Sequence, residues 1–140
     1  MIFCVNLLFS FETIATFPNH YSIITGLNEE SHGIVQNSMF DRTMNKKFEH
    51  GSDAKTLTDW FGQNPSAMPV WTLNQKAGDG RRSASNWIGS NAKINGINIM
   101  DIPYNQSAPF KDLVDQFISL FVAQVDPVNF AALYFYEPGI

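Results

Sequence analysis

The alternation of strand-like, loop and helical segments along the 140 residues predicts an α/β fold. Three observations carry this. After Pro109, the residues Phe110, Leu113, Val114, Phe117, Ile118 and Phe121 recur at helical spacing and form one apolar stripe. The run Phe130-Ala131-Ala132-Leu133-Tyr134-Phe135-Tyr136 is nearly continuous in apolar character, as in an interior strand of a parallel sheet. Two further helical segments open near a proline and stop at a glycine, the usual asymmetry of helix ends.

In chain order, residues 1–10 form an apolar stretch of signal-peptide length. They have no basic n-region, contain Asn6 and lead to no small-x-small cleavage site, so a buried β-strand is read ahead of a degenerate secretion signal. A helix is predicted from near Pro18, with Tyr21, Ile24 and Leu27 on one side and Gly26 as its stop. Residues Glu29 to Gly33 read as a turn and Ile34-Val35 as a short extended piece. From Phe40 to Asn64 the chain is polar and mixed, and reads as surface loop with little regular structure. Pro69 to Gly78 reads as a second helix and Arg81 to Trp87 as a strand, followed by an Ile94-to-Ile99 segment broken by Gly96. The Pro109 helix has Lys111, Asp112, Asp115 and Gln116 on its other face, and Asp126-Pro127 break the pattern before the Phe130 strand.

The size suits one domain at most, so residues 1–140 are taken as a single unit. A 44% hydrophobic composition with 12 phenylalanines supplies core material, and nothing reads as low-complexity. The formal charge of −4, with no basic run, argues against a nucleic-acid polymer or an anionic membrane surface as partner. No stretch reaches the ~18 apolar residues of a membrane span. Cys4, the single cysteine, lies in apolar surroundings and reads as a small buried hydrophobe rather than a reactive thiol.

Spacing alone says little about chemistry. Thr16 stands just before a proline-started helix, where free N–H groups and the helix dipole favour an anion. On that ground alone a capping role outweighs a nucleophilic one, because a hydroxyl needs a base or metal to become a nucleophile. His20, His32 and His50 have no metal-ligand spacing and read as structural or solvated side chains. Asp112 and Asp115 face solvent on their helix. Asn105-Gln106-Ser107 is an N-glycosylation sequon, relevant only to a secreted chain.

A longer pattern is more specific. Thr16-Phe17-Pro18-Asn19-His20-Tyr21-Ser22-Ile23-Ile24-Thr25-Gly26-Leu27 resembles the nucleophile motif of the ecto-nucleotide pyrophosphatase/phosphodiesterases of the alkaline-phosphatase superfamily. The resemblance continues in family order through Glu30 to Val35, Asn37, Met39 and Asp41, then Pro69-Val70-Trp71, Trp87 to Ser90, Ile94-Asn95-Gly96 and Tyr104-Asn105. It closes with Pro109-Phe110, Leu133-Tyr134-Phe135 and Glu137-Pro138. Asn74-Gln75 and Ala77-Gly78 are similar to the membrane-anchored branch containing members four and five.

The resemblance implies an incomplete piece of an alkaline-phosphatase-like fold, a mostly parallel sheet flanked by helices. Residues 1–140 would be a partial phosphodiesterase catalytic domain, with a divergent N-terminus over 1–15. The implied reaction is hydrolysis of a phosphodiester or pyrophosphate bond in a nucleotide or other phosphodiester small molecule. Thr16 would be the nucleophile, activated by one of two zinc ions and itself a metal ligand. The Thr16 N–H and Asn37 would hold the phosphoryl oxygens. Phe17 and Tyr104 would flank the base, with Trp87 in the same substrate-binding set. The family setting is extracellular or at the cell surface, although this chain shows no convincing signal peptide or membrane anchor.

The departures from the family pattern matter equally. Residues 1–15 contain no aspartate where the family places a zinc ligand, and Gly139 stands where another ligand Asp follows Glu-Pro. The remaining ligands would fall beyond Ile140. Ile88 replaces a proline, and Asn91 a frequent Asp. Hydrolysis by this chain alone is therefore not expected. The competing expectation is a catalytically inactive remnant with at most a binding role. A strand at 130–136 without further sheet neighbours also predicts exposed apolar surface and poor solubility.

Overall fold

The computed structural model describes residues 15–49, 54–62 and 64–135. The strand predicted over residues 1–10, Cys4, His50 and Gly139 lie outside the described residues.

Helix α1 spans Thr16–Thr25, beginning two residues before Pro18. Phe17, Tyr21 and Ile24 recur at i, i+4 and i+7 and are buried. Gly26 ends the helix in the left-handed conformation (φ 70°) and donates its N–H to the Ser22 carbonyl at 2.8 Å. The segment expected to be a turn is a single helical turn, α2 (Glu29–His32), closed by Gly33 at φ 83°. Four residues are too few for a periodicity to be read, yet the His32 N–H still reaches the Asn28 carbonyl at 3.0 Å. Ile34 is buried but joins no strand.

The predicted surface loop over 40–64 is corrected by the structure. It contains an antiparallel hairpin, β1 (Ser38–Asp41) with β2 (Lys46–Glu49), and a helix, α3 (Ala54–Phe61). Asp41 Oδ1 accepts the Thr43 and Met44 N–H groups at 2.7 and 2.8 Å, and Asn45 takes φ 52°, so side chains and backbone build the turn locally. Only the Met39–Phe48 pair of this hairpin reaches the core; Lys46, Lys47 and Glu49 are exposed. That one-sided burial is why the composition reads as loop. In α3 the buried Leu57, Trp60 and Phe61 are spaced i, i+3, i+4.

Helix α4 (Val70–Lys76) follows Pro69 as predicted. Three parallel strands form the sheet: β3 (Ser83–Ser85) in the centre, β4 (Met100–Asp101) on one side and β5 (Phe130–Ala132) on the other. Both predicted strands are thus present but shorter. Beyond Ser85 the ladder is continued by a side chain: the Asn86 amide donates to the Tyr134 carbonyl at 3.0 Å and accepts the Tyr134 N–H at 2.6 Å. The residues of β5 are half-buried, not fully buried as predicted, since β3 is its one strand neighbour among the described residues. The Ile94–Ile99 break at Gly96 is a tight turn in which Asn95 and Gly96 both take positive φ (51° and 77°) and Ile94 pairs with Ile97. Helix α5 (Phe110–Phe121) follows Pro109 as predicted, burying Leu113 and Phe117.

The core lies where α1, α3, α4 and β2 meet. Tyr21 stacks on Phe61 at 4.5 Å, and Phe48 meets Phe17 and Trp60 edge-on at 5.3 and 5.6 Å. This packing fixes the start of α1 relative to the carboxyl ends of β3, β4 and β5.

Candidate active site

Loops leaving the carboxyl ends of parallel strands are where α/β sheets place their ligands. Here residues 86–91 leave β3, residues 102–104 leave β4, and Tyr134 follows β5. With Thr16 and Phe17 from α1 and Leu57 from α3, they enclose a cleft of about 480 Å³.

Thr16 is the first residue of α1 and is exposed at the cleft. It does not cap the helix: Ala15 holds the N-cap position in extended conformation, and no side chain makes a capping hydrogen bond. The capping role favoured by spacing alone is therefore not the one observed. One of the helix's first N–H groups, that of Phe17, donates to Asn37 Oδ1 at 2.8 Å, bringing in a residue 20 positions downstream. Because its oxygen is used in this way, the Asn37 amide presents its NH₂ group as a donor. Phe17 lines the cleft but is only 5% exposed, most of its ring being packed into the core against Phe48.

The aromatic wall is formed by Trp87, Tyr104 and Tyr134. Tyr134 lies 5.4 Å from Trp87 and 5.5 Å from Tyr104, ring centre to ring centre. His20 packs behind it, 5.3 Å from Trp87 and 5.2 Å from Tyr134. Burial lowers the His20 pKa, so its ring is neutral at pH 7; its Nδ1 and the Trp87 Nε1 have no hydrogen-bond partner among the described residues. Gly89 lets the loop lie against the core: at φ 84°, a Cβ there would stand 2.3 Å from Cε2 of Phe61.

The structure thus gathers Thr16, Phe17, Trp87 and Tyr104 around one cleft and ties Asn37 to its helix end. Sequence reasoning did not assign Tyr134, Asn86, Ser90 or Asp101 to the site. Their position just after strand ends was the available signal, but it needs the strand boundaries to be known. Of the other residues weighed, Asp112 and Asp115 are exposed on α5, Asp115 paired with Lys111. Asn105 lies in an exposed turn, its Oδ1 accepting the Ser107 N–H at 3.0 Å. His32 is buried in a hydrogen-bonded core position. Among the described residues no group of three His, Cys, Asp or Glu side chains is placed to hold a metal ion.

A hydroxyl at the start of a helix and an aromatic cleft thus lie together at the carboxyl end of a parallel sheet, the place where α/β proteins hold their ligands. Comparison with known proteins gives the family. Residues 7–140 match the family described as type I phosphodiesterase / nucleotide pyrophosphatase, and the chain belongs to it. Mouse bis(5′-adenosyl)-triphosphatase is 40% identical over 126 residues, covering 89% of this chain and 26% of that protein. The structure of human ectonucleotide pyrophosphatase/phosphodiesterase 5 aligns with a TM-score of 0.73 at 37% identity, covering 88% of this chain and 32% of that one. An inactive threonine-to-alanine form of the murine counterpart, in complex with AMP, aligns with a TM-score of 0.68 at 40% identity, covering 87% and 32%. The chain is therefore a partial alkaline-phosphatase-like fold, spanning about a quarter of the length of the mouse relative and about a third of the human structure.

Proposed function

We propose that this chain carries the nucleophile and base-binding part of a nucleotide pyrophosphatase/phosphodiesterase site, with residues 1–140 as one part of the catalytic domain. The observation that carries this is Thr16 at the free start of α1, in one cleft with Trp87 and Tyr104 and beside Asn37. Thr16 Oγ1 would attack phosphorus as the bond to the leaving oxygen breaks, the hydroxyl proton ending on that leaving oxygen. Water would then cleave the phosphothreonine ester, releasing a nucleoside monophosphate. The Thr16 N–H and the Asn37 NH₂ are the donors for the phosphoryl oxygens as charge develops on them. Phe17 and Tyr104 would flank the base, with Trp87 as part of the wall. The inactive threonine-to-alanine relative bound to AMP supports a threonine in this role and a nucleotide as ligand.

The two zinc ions implied by the resemblance do not fit the donors described. Thr16 offers one hydroxyl, His20 is enclosed by Trp87 and Tyr134, and Asp101 belongs to no group of three His, Cys, Asp or Glu side chains among the described residues. The same lack of a donor set favours a second reading, in which the chain binds a nucleotide without turnover. The naming of relatives as ectonucleotide enzymes supports an extracellular or cell-surface setting. Among the described residues no helix is long and apolar enough to cross a membrane.

The test is hydrolysis of a chromogenic thymidine 5′-monophosphate ester with added zinc, alongside AMP binding by calorimetry. Turnover lost in Thr16→Ala, with AMP affinity kept within about threefold, is the result expected of a threonine nucleophile. Binding without turnover in either protein selects the second reading. Equal turnover by both proteins removes Thr16 from the chemistry.

A further inference from the structure

Among the described residues that line the cleft, Asp101 is the one that bears a charge. A carboxylate in a cleft for a phosphorylated ligand needs a reason, because beside the phosphate it would repel it. Its position is tightly defined. Asp101 ends β4, three residues before Tyr104, and its Oδ1 lies 2.6 Å from the Ser90 hydroxyl. That hydroxyl is also 2.7 Å from the Trp87 carbonyl, but it has only one hydrogen. The Trp87 carbonyl already accepts the Ser90 N–H at 3.0 Å, so the hydroxyl hydrogen goes to the carboxylate, where the bond is charge-assisted. Asp101 Oδ1 is thereby held to the Trp87 loop. Oδ2 has no partner among the described residues and remains a free acceptor.

We propose that Asp101 is a specificity residue, whose Oδ2 accepts a hydrogen bond from the exocyclic amino group of a nucleobase lying on the Trp87–Tyr104–Tyr134 wall. This rests on the nucleotide-site reading above and deepens it. The wall binds any flat ring, since every base has a π face, and so cannot discriminate among bases. A carboxylate has acceptors only. It matches the amino group of adenine or cytosine and opposes the carbonyl oxygen found at the same position of hypoxanthine, uracil or thymine. The resemblance placed Asn91 where the family often has Asp, and Asn91 lines this same cleft beside Ser90. A carboxylate therefore reaches this part of the cleft from β4 rather than from the loop after Trp87.

The pair that tests the effect is AMP and IMP, which present an amino group against a carbonyl at C6 and, with it, an acceptor against an N–H donor at N1. Their affinities for the full chain are measured by calorimetry, with wild type compared with Asp101→Asn. The wild type is expected to bind AMP roughly tenfold more tightly than IMP. In Asp101→Asn the amide oxygen keeps the Ser90 hydroxyl and the NH₂ replaces Oδ2, so the acceptor becomes a donor and the preference inverts toward IMP. A matching thermal midpoint for the two proteins guards against a folding artefact, since Asp101 is exposed. Equal affinities in the wild type, or an unchanged ratio in the variant, overturn the role of Asp101 while leaving the nucleotide site standing. Failure of both nucleotides to bind overturns the nucleotide site and this inference with it.

Discussion

His32 shows how one side chain can serve structure in a segment whose pattern belongs to a catalytic family. Its Nδ1 accepts the Ile34 N–H at 3.1 Å, which in the neutral ring leaves the hydrogen on Nε2 to be donated to Ser22 Oγ at 2.9 Å. Burial lowers its pKa from 6.5, opposed by Glu29, by the Pro18 carbonyl and by Glu30. His20 is shifted in the same direction by burial. A base with a depressed folded pKa contributes its full stability above the unfolded value. As pH falls below about 6.5 the unfolded chain takes up the proton first, and that stability is lost. The thermal midpoint is therefore expected to fall between pH 7 and pH 5. His32→Gln, whose amide does not titrate, should show a shallower fall over the same range, and equal slopes would contradict the assignment.

Among the elements, α5 was the most legible in sequence, but its stripe is wider than the face it buries. Leu113 and Phe117 are buried at 4% exposure, whereas Phe110, Ile118 and Phe121 are between 44% and 57% exposed. Periodicity reports which side of a helix is apolar; it does not report how much of that side finds a neighbour. Urea denaturation should separate the two classes. Phe117→Ala is expected to cost about 3–5 kcal/mol as a core truncation. Ile118→Ala should cost under about 1 kcal/mol, within the range of surface changes. Similar losses for both would mean that Ile118 is covered in solution. The hairpin β1–β2 is the opposite case: its single inward pair, Met39 and Phe48, is too sparse to show as alternation among charged residues.

At the scale of the molecule, the apolar residues of α5 continue into Val122 and Val125, exposed by 76% and 80%. The three-stranded parallel sheet has β4 and β5 as its edges among the described residues, and parallel sheets are ordinarily covered on all sides. Both features favour association of the chain with itself in solution. Light scattering of the isolated chain is expected to rise with concentration, and Ile118→Lys with Val122→Lys should reduce the rise without lowering the thermal midpoint. A wild type that stays monodisperse across the range would contradict this.

The sequence by itself determined the class of fold, the family, and the helices marked by proline, glycine and a 3.6-residue period. These are local or ordered signals: Pro18, Gly26, Pro69, Pro109 and the motif beginning at Thr16 act within a few residues of themselves. The tertiary structure alone decided that Thr16 starts α1 without capping it, that Asn37 turns its oxygen to the Phe17 N–H, and that Tyr134 and Asp101 enter the cleft. The contacts involved span 11 to 48 residues, such as Ser90 with Asp101, Phe17 with Asn37 and Asn86 with Tyr134. No local propensity encodes such contacts, because they exist only once the core beneath α1 has brought the strand ends and the helix start together.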